Sequence, residues 1–229
     1  MPRKSAAVRR KSASDATPSK ARGNATKSAR LREDFRSFAR AAILSAAEEV
    51  LADDGLHAAR IEEIAQRARV AVGTIYNLVG DREALIREIL QLRYAEIVAL
   101  LASTLQANMT APFRDQVHAL VLAVFTYFGE HWPFFRLVME SERAGGRAKL
   151  MGQNKLQVHL EIRKLYRELI QRGVKQGALR AEGSELYPVM LSGLMREVMI
   201  HDLESQVRAS PRARADELTR MFFEGAGTR

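Results

Sequence analysis

The chain has 229 residues, of which 47% are apolar, a net charge of +9 and no cysteine. This composition allows a substantial core in one or two domains and excludes disulfides and thiolate metal sites. No stretch approaches the roughly 18 consecutive apolar residues that a membrane span needs, and the basic N-terminus lacks the apolar core of a signal peptide. We therefore expect a cytoplasmic protein without a membrane partner.

The excess positive charge lies at the N-terminus. Residues 1–32 contain ten Lys or Arg residues and one acid, Asp15, whereas the rest of the chain carries 26 basic and 26 acidic residues. Because this segment has almost no large apolar side chains, burial cannot offset the entropy cost of ordering it, and it predicts a disordered basic arm. Such an arm is suited to DNA phosphates, with a solubilising tail as the alternative.

From residue 33 onward, apolar residues recur with helical periodicity and no useful β alternation occurs. The first helix is expected to bury a stripe that includes Phe35, Phe38, Ile43 and Val50. Gly, Pro and capping residues separate the later helices. The pattern predicts an all-α fold of about nine helices, at residues 33–53, 61–67, 72–78, 81–106, 112–129, 132–143, 153–173, 184–204 and 211–223.

The two short helices at residues 61–78 are typical of a helix-turn-helix, whose second helix enters a DNA major groove. Gly73 would let this helix approach a sugar-phosphate backbone closely. Thr74, Tyr76 and Asn77 can hydrogen-bond phosphates or base edges. The pattern therefore predicts a protein that acts by binding DNA.

Characteristic residues recur through this region: Ala46, Ala47, Gly55, Ile64, Ala65, Val70, the run Gly73-Thr74-Ile75-Tyr76 and the run from Gly80 to Leu85. In these residues the segment 40–90 resembles the N-terminal DNA-binding region of the TetR (tetracycline-repressor) family. The resemblance implies a homodimer with a three-helix DNA-binding head and a variable C-terminal ligand domain. It also implies that Thr74 and Tyr76 contact DNA and that Arg82 takes the place of a phosphate-binding lysine.

Composition and the resemblance together divide the chain into a basic arm (1–32), a helix-turn-helix domain (33–80) and a ligand-binding and dimerisation domain (81–229), which the fourth helix enters.

Some positions depart from the family pattern. Arg69 stands where a turn glycine is usual, so the turn is either strained or holds Arg69 in the left-handed conformation. Ala71 replaces a serine cap. Arg60, Arg67 and Arg69 can restore phosphate affinity, or they are solvated surface residues. The predicted DNA-binding residues are Arg60, Arg69, Val72, Gly73, Thr74, Tyr76, Asn77 and Arg82.

The C-terminal part contains a dense group of aromatic and Met residues, which predicts either a pocket for an apolar or aromatic molecule or ordinary core. His159 and Arg163 share a helix face and could bind an anionic or hydroxylated group. The candidate pocket residues are Phe125, Phe128, Trp132, Phe135, Met139, His159 and Arg163.

The last two helices are apolar and are expected to pack against their symmetry mates in a four-helix dimer interface. The candidate interface residues are Leu186, Met190, Leu194, Val198, Leu218 and Phe222.

No catalytic arrangement stands out. The histidines lack metal-ligand spacing, and the chain shows no nucleophile–base pattern, paired carboxylates or phosphate-binding glycine loop. We therefore expect no enzyme activity, no metal and no cofactor.

These observations favour a ligand-responsive transcriptional regulator. We expect a homodimeric repressor that a small apolar or aromatic effector of unknown identity releases from a palindromic operator in double-stranded DNA. One alternative is an architectural protein that binds DNA without sequence preference. Another is a helical small-molecule binding protein whose DNA head is degenerate.

Overall fold

A computed structural model describes residues 19–55, 59–143, 147–205 and 209–226. These residues form nine α-helices and no β-strand, which confirms the predicted all-α fold. The helices are α1 (Ser19–Asp54), α2 (Ile61–Ala68), α3 (Val72–Leu78), α4 (Arg82–Ala107), α5 (Phe113–Glu130), α6 (Trp132–Arg143), α7 (Arg147–Lys175), α8 (Tyr187–Glu204) and α9 (Pro211–Ala226).

The first helix begins earlier than the sequence predicts. Because α1 starts at Ser19, residues 19–32 of the predicted disordered arm are helical, while residues 1–18 of that arm lie outside the described residues. Ala, Lys and Arg are good helix formers, and extending an existing helix avoids the cost of nucleation. The helix therefore extends into this segment without burying large apolar side chains, although the lack of such side chains indicates disorder.

The predicted buried stripe of α1 is wrong at its N-terminal end. Phe35 and Phe38 are 69% and 75% exposed, whereas Ile43 and Val50 are fully buried. Residues 30–38 are all exposed, so the packing partners α2, α3, α4 and α6 cover the later turns of α1. Periodicity identified the apolar side of the helix but not how far its partners extend.

The later turns of α1 pack with α2 and α3 into a three-helix head. Ile43 and Val50 of α1, Ile64 of α2 and Ile75 of α3 are completely buried. Each such side chain stabilises the folded head by about 1.5–3 kcal/mol. This small core fixes the position of α3 on the other two helices.

The long helix α4 joins the head to the other helices. Asp81 caps its first turn, because the backbone N–H of Ala84 donates a hydrogen bond to the Asp81 Oδ1 at 2.7 Å. The helix packs on α1 and also on α5 and α7. Any displacement of α4 therefore acts on the head and on the remaining helices together.

The remaining helices, α5–α9, form the body. Helices α5 and α9 pack against each other in this core. The side chains of Leu120 and Val121 on α5, and of Leu218 and Phe222 on α9, are buried there. Within the described ranges, none of the helices combines the length and the apolar character that crossing a membrane requires.

Candidate nucleic-acid interface

Arg69 shapes the turn between α2 and α3. Its backbone is left-handed, with φ 57° and ψ 41°. The Arg69 N–H donates to the Gln66 carbonyl oxygen at 3.1 Å, and the Val70 N–H donates to the Ala65 carbonyl oxygen at 3.0 Å. These bonds end α2 in the way that a left-handed glycine commonly ends a helix. In a residue with a side chain, the left-handed backbone costs about 1–2 kcal/mol. The left-handed arginine that the sequence offered as one alternative is observed.

Neither short helix has a side-chain cap at its N-terminus. Arg60 precedes α2 and Ala71 precedes α3, both with an extended backbone, and neither side chain bonds to the first turn. The Thr74 N–H donates instead to the Ala71 carbonyl oxygen at 2.8 Å. A missing cap costs a helix about 1 kcal/mol. Packing, including the burial of Ile75, must therefore stabilise α3 in its place.

The outer side of α3 carries a glycine and polar side chains. Ile75 is fully buried, whereas Tyr76 is 54% exposed and Gly73 and Asn77 are exposed. Ile75 thus anchors a helix whose other side faces outward. The structure brings together on this helix five predicted DNA-binding residues, Val72, Gly73, Thr74, Tyr76 and Asn77.

Gly73 is not required by the fold. A Cβ atom built at this position has no heavy atom within 4 Å, and the residue is not among those with positive φ. Glycine inside a helix destabilises it by about 0.5–1 kcal/mol relative to alanine. A glycine that costs stability on an exposed face is consistent with close approach by a molecule outside the chain.

The predicted arginines differ in their surroundings. Arg60 and Arg69 are exposed near the two ends of α2. Arg82 is half-buried at the first position of α4, and its Nε and Nη2 atoms are covered and have no hydrogen-bond partner among the described residues. Arg60 and Arg69 can therefore reach a phosphate directly, whereas two of the three guanidinium nitrogens of Arg82 are covered.

Arg67 is engaged within the protein. Its Nη1 lies 3.0 Å from Asp53 Oδ2, and its Nη2 lies 3.4 Å from Glu63 Oε1. The hydrogen bond to Asp53 raises the pKa of the Arg67 guanidinium. The surrounding carboxylates compensate its charge, so Arg67 is less suited than Arg60 and Arg69 to attract DNA.

Arg40 ties α3 to α4. It forms a bidentate ion pair with Glu88, with Nη2 2.7 Å from Oε2, and its Nη1 donates to the Leu78 carbonyl oxygen at 2.8 Å. Leu78 is the last residue of α3. One side chain on α1 therefore fixes the C-terminal end of α3 relative to the first turns of α4.

Residues 43–89 match the sequence profile of the bacterial regulatory proteins of the TetR family. This range contains the later turns of α1, all of α2 and α3, and the start of α4. The transcriptional activator FasR of Mycolicibacterium smegmatis is 31% identical over 107 residues, which cover 47% of this chain and 48% of FasR. The match thus spans about half the length of that relative. The likeness to the TetR family therefore covers residues 43–89, the helix-turn-helix region.

Solved structures share the fold of most of the chain. PfmR, a TetR family regulator from Thermus thermophilus, has a TM-score of 0.64 and 22% identity, covering 78% of this chain and 97% of PfmR. FadR from Bacillus subtilis, solved in complex with stearoyl-CoA, has a TM-score of 0.67 and 16% identity, covering 80% of this chain and 97% of FadR. At these identities the likeness establishes the fold.

A partly buried polar cluster joins the head to the body. Arg93 on α4 forms a bidentate pair with Glu48 on α1, with Nε 2.6 Å from Oε1 and Nη2 3.0 Å from Oε2. Its Nη1 donates to Glu96 Oε2 at 2.8 Å. The Tyr127 hydroxyl on α5 lies within donating distance of the same oxygen, at 2.9 Å, and of the Arg93 carbonyl oxygen, at 3.0 Å. We call these four residues the junction cluster.

The electrostatics of the junction cluster favour its charged and hydrogen-bonded state. Burial alone would raise the pKa of Glu96, but the hydrogen bonds from Arg93 and Tyr127 outweigh burial and lower it. Burial and the bond to Glu96 raise the pKa of Tyr127, so its hydroxyl keeps its proton. The cluster is therefore a stable contact between α1, α4 and α5 near neutral pH.

The aromatic pocket candidates pack mostly against one another. The Phe128 ring stacks on Phe134 at 6.0 Å between centroids and meets Phe135 edge-on at 5.4 Å. Trp132 lies 5.5 Å from Phe135. Phe125 and Met139 are buried and Arg163 is exposed on α7, while the side chain of His159 lies outside the described residues.

A cleft of about 550 Å³ opens between α4 and α5, on the side of α5 that carries Tyr127. None of the aromatic candidates lines it. Its walls are formed by Arg93, Glu96, Leu100, Ala123, Thr126, Tyr127, Glu130 and His131.

The candidate dimer residues separate into two groups. Leu186 is exposed at the start of α8, and Met190, Leu194 and Val198 are partly buried. Leu218 and Phe222 are completely buried in the core of the protomer, so their side chains are not available to a second copy. The outward apolar residues of this region include Val189 and Met221.

The sequence interpretation missed Arg40 and the junction cluster. One signal points to the cluster, because Glu48 lies on the apolar side of α1 between Ala47 and Val50. A carboxylate on a buried helix face requires a cationic or hydrogen-bonding partner. Which arginine supplies it depends on how α4 crosses α1, and a single sequence does not contain that information.

Proposed function

We propose that this protein is a dimeric transcriptional repressor that reads a near-palindromic operator with α3 and leaves it when a small molecule binds the body. The exposed side of α3 carries the DNA-binding part of the proposal. Gly73 gives that side room for a sugar-phosphate backbone, while Thr74, Tyr76 and Asn77 offer hydrogen bonds to phosphates and base edges.

The dimer would form on the outer side of α8 and α9. Leu186 and Val189 are 62% and 63% exposed, and Met221 of α9 is also exposed. Gly193 of α8 has no atom within 4 Å of a built Cβ, which leaves room for a second helix to approach. A symmetric pair of such faces forms a four-helix interface and would place two α3 helices on one side of the DNA.

The response to an effector would pass through α4, since α4 contacts both head and body. An apolar or aromatic molecule that prefers one position of α4 would shift the separation of the two heads. It changes operator affinity only by the difference between its affinities for the two states.

Footprinting of the full-length protein on the DNA upstream of its own gene tests the DNA-binding function. We expect two protected half-sites whose centres lie about 34–36 Å apart, or a multiple of that distance, on one face of the duplex. Equal protection of unrelated duplexes, with a steep dependence on salt, would favour the architectural alternative. Absence of protection across a broad salt range would contradict DNA-binding and favour a small-molecule binding protein.

A further inference from the structure

The cleft between α4 and α5 is lined by both apolar and polar residues, two of which are carboxylates. Leu100 and Ala123 provide apolar surface, whereas Glu96, Glu130, Tyr127 and His131 provide polar atoms and rings. The His131 and Tyr127 rings lie 4.5 Å apart between centroids. The cleft is open to solvent, and its volume of about 550 Å³ falls within the usual range for small-molecule sites, about 300–1,000 Å³.

The guanidinium charge of Arg93, which lines this cleft, is already paired with carboxylates of the protein. All three nitrogens of the Arg93 guanidinium donate to carboxylates, two bonds going to Glu48 and one to Glu96. Glu130 is exposed and has no hydrogen bond or ion pair in the part of the chain that the structure describes. Because Arg93 is paired with Glu48 and Glu96, the Glu130 carboxylate in the cleft wall remains uncompensated by it, and the cleft favours a positively charged occupant.

We propose that this cleft binds a small organic cation, an ammonium group attached to an apolar body. The ammonium group would lie between Glu96 and Glu130, next to the Tyr127 ring, where carboxylates and an aromatic face both favour a cation. The apolar body would lie on Leu100 and Ala123. This chemistry differs from that of stearoyl-CoA, the ligand of B. subtilis FadR, because the phosphates of a coenzyme A would face these carboxylates.

Occupation of the cleft reaches the head through Arg93. A cation bound to Glu96 competes with Arg93 and Tyr127 for the same carboxylate, and Arg93 is also the partner of Glu48 on α1. Binding therefore changes the balance of contacts between α4 and α1. This consequence rests on the proposed regulator function, whereas binding to the cleft does not.

Calorimetric titration of the full-length protein tests the cleft with three matched probes: 4-phenylbutylamine as its ammonium ion, neutral 4-phenylbutanol and anionic 4-phenylbutyrate. We expect the ammonium ion to bind at least about tenfold more tightly than the alcohol, which corresponds to about 1.4 kcal/mol, and the carboxylate not to bind. Equal affinity for the ammonium ion and the alcohol, or no binding of the ammonium ion, would overturn the proposal.

The variant Glu130→Gln tests whether the ammonium ion binds in this cleft. It should not disturb the fold, because the exposed Glu130 side chain has no hydrogen-bond or ion-pair partner among the described residues. It should weaken binding of the ammonium ion by about tenfold, while Glu185→Gln, at an exposed glutamate outside the cleft, should leave binding unchanged. Undiminished binding to Glu130→Gln would mean that the cation binds elsewhere.

Operator binding with and without 4-phenylbutylamine tests the connection to the head. We expect saturating amine to change operator affinity by at least threefold in the natural chain. Unchanged affinity would overturn the connection while leaving the regulator function intact. If no operator is bound at all, the regulator function fails, and the calorimetry still decides whether the cleft binds cations.

Discussion

The outer side of α3 and the junction cluster are both polar, but they are organised in opposite ways. On α3, Tyr76 and Asn77 extend into solvent, and Gly73 leaves space that nothing in the described chain fills. In the junction cluster every charged group has a partner inside the protein, and Glu48 is only 7% exposed. The outer side of α3 is therefore open to a contact outside the chain, whereas the groups of the junction cluster are already paired within it.

If this distinction is correct, Arg93→Ala should lower the free energy of unfolding more than any of the substitutions described below. Removing the guanidinium leaves the buried Glu48 carboxylate without compensation, which typically costs about 3–5 kcal/mol. Urea denaturation followed by circular dichroism measures the loss. Arg87→Ala is the matched control on the same helix, because Arg87 makes an exposed pair with Glu83 at 3.7 Å. A loss for Arg93→Ala no larger than for Arg87→Ala would remove the distinction.

Tyr76→Ala should affect DNA binding and leave stability unchanged. Its side chain is mostly exposed on α3, so its loss removes a contact to DNA rather than core packing. We expect operator affinity to fall by about tenfold to a hundredfold, or roughly 1.4–2.8 kcal/mol. Fluorescence anisotropy with labelled operator measures the affinity, and a parallel urea titration measures stability. A fall in stability without a fall in affinity would assign Tyr76 to the fold.

Arg69→Gly should stabilise the protein by about 1 kcal/mol, because glycine adopts the left-handed conformation of this turn without the cost that arginine has there. The same substitution removes an exposed charge near α3, so operator affinity should fall as stability rises. Thermal denaturation and operator titration together measure both changes. A destabilised Arg69→Gly variant would show that the arginine side chain supports the turn.

The smallest expected effect is the acid sensitivity of the junction cluster. Because the pKa of Glu96 is lowered in the folded state, its stabilising contribution is present above its ordinary pKa of 4.5 and is lost as the pH falls through the lowered value. Glu96→Gln should therefore be less stable than the natural chain at neutral pH, and the difference should narrow in acid. Urea midpoints at neutral pH and at about pH 3.5 measure this. A difference independent of pH would contradict the assigned cause.

The sequence predicted the head better than the body for a physical reason. In residues 61–78 local spacing alone determines which residues face inward, so the burial of Ile64 and Ile75 and the exposure of Tyr76 follow from short-range pattern. Phe35 and Leu218 show the limit of this reasoning. Both are apolar at helical spacing, yet one is exposed and the other buried, because their surroundings depend on which distant helices reach them.

The same limit applies to the ion pairs. Arg40 with Glu88 and Glu48 with Arg93 join residues 48 and 45 positions apart. Nothing in the spacing of either pair within one helix indicates its partner. Only the crossing of α1 and α4 brings them together, and that crossing is a property of the packed molecule.

Equilibrium titration of the operator with the natural chain and with Gly73→Ala tests most directly whether α3 contacts DNA. The added methyl group touches nothing in the described chain and removes a helix glycine, so stability should stay the same or rise by about 0.5–1 kcal/mol. Operator affinity should nevertheless fall by at least about tenfold. A Gly73→Ala variant that binds the operator as tightly as the natural chain would contradict the close contact between α3 and DNA.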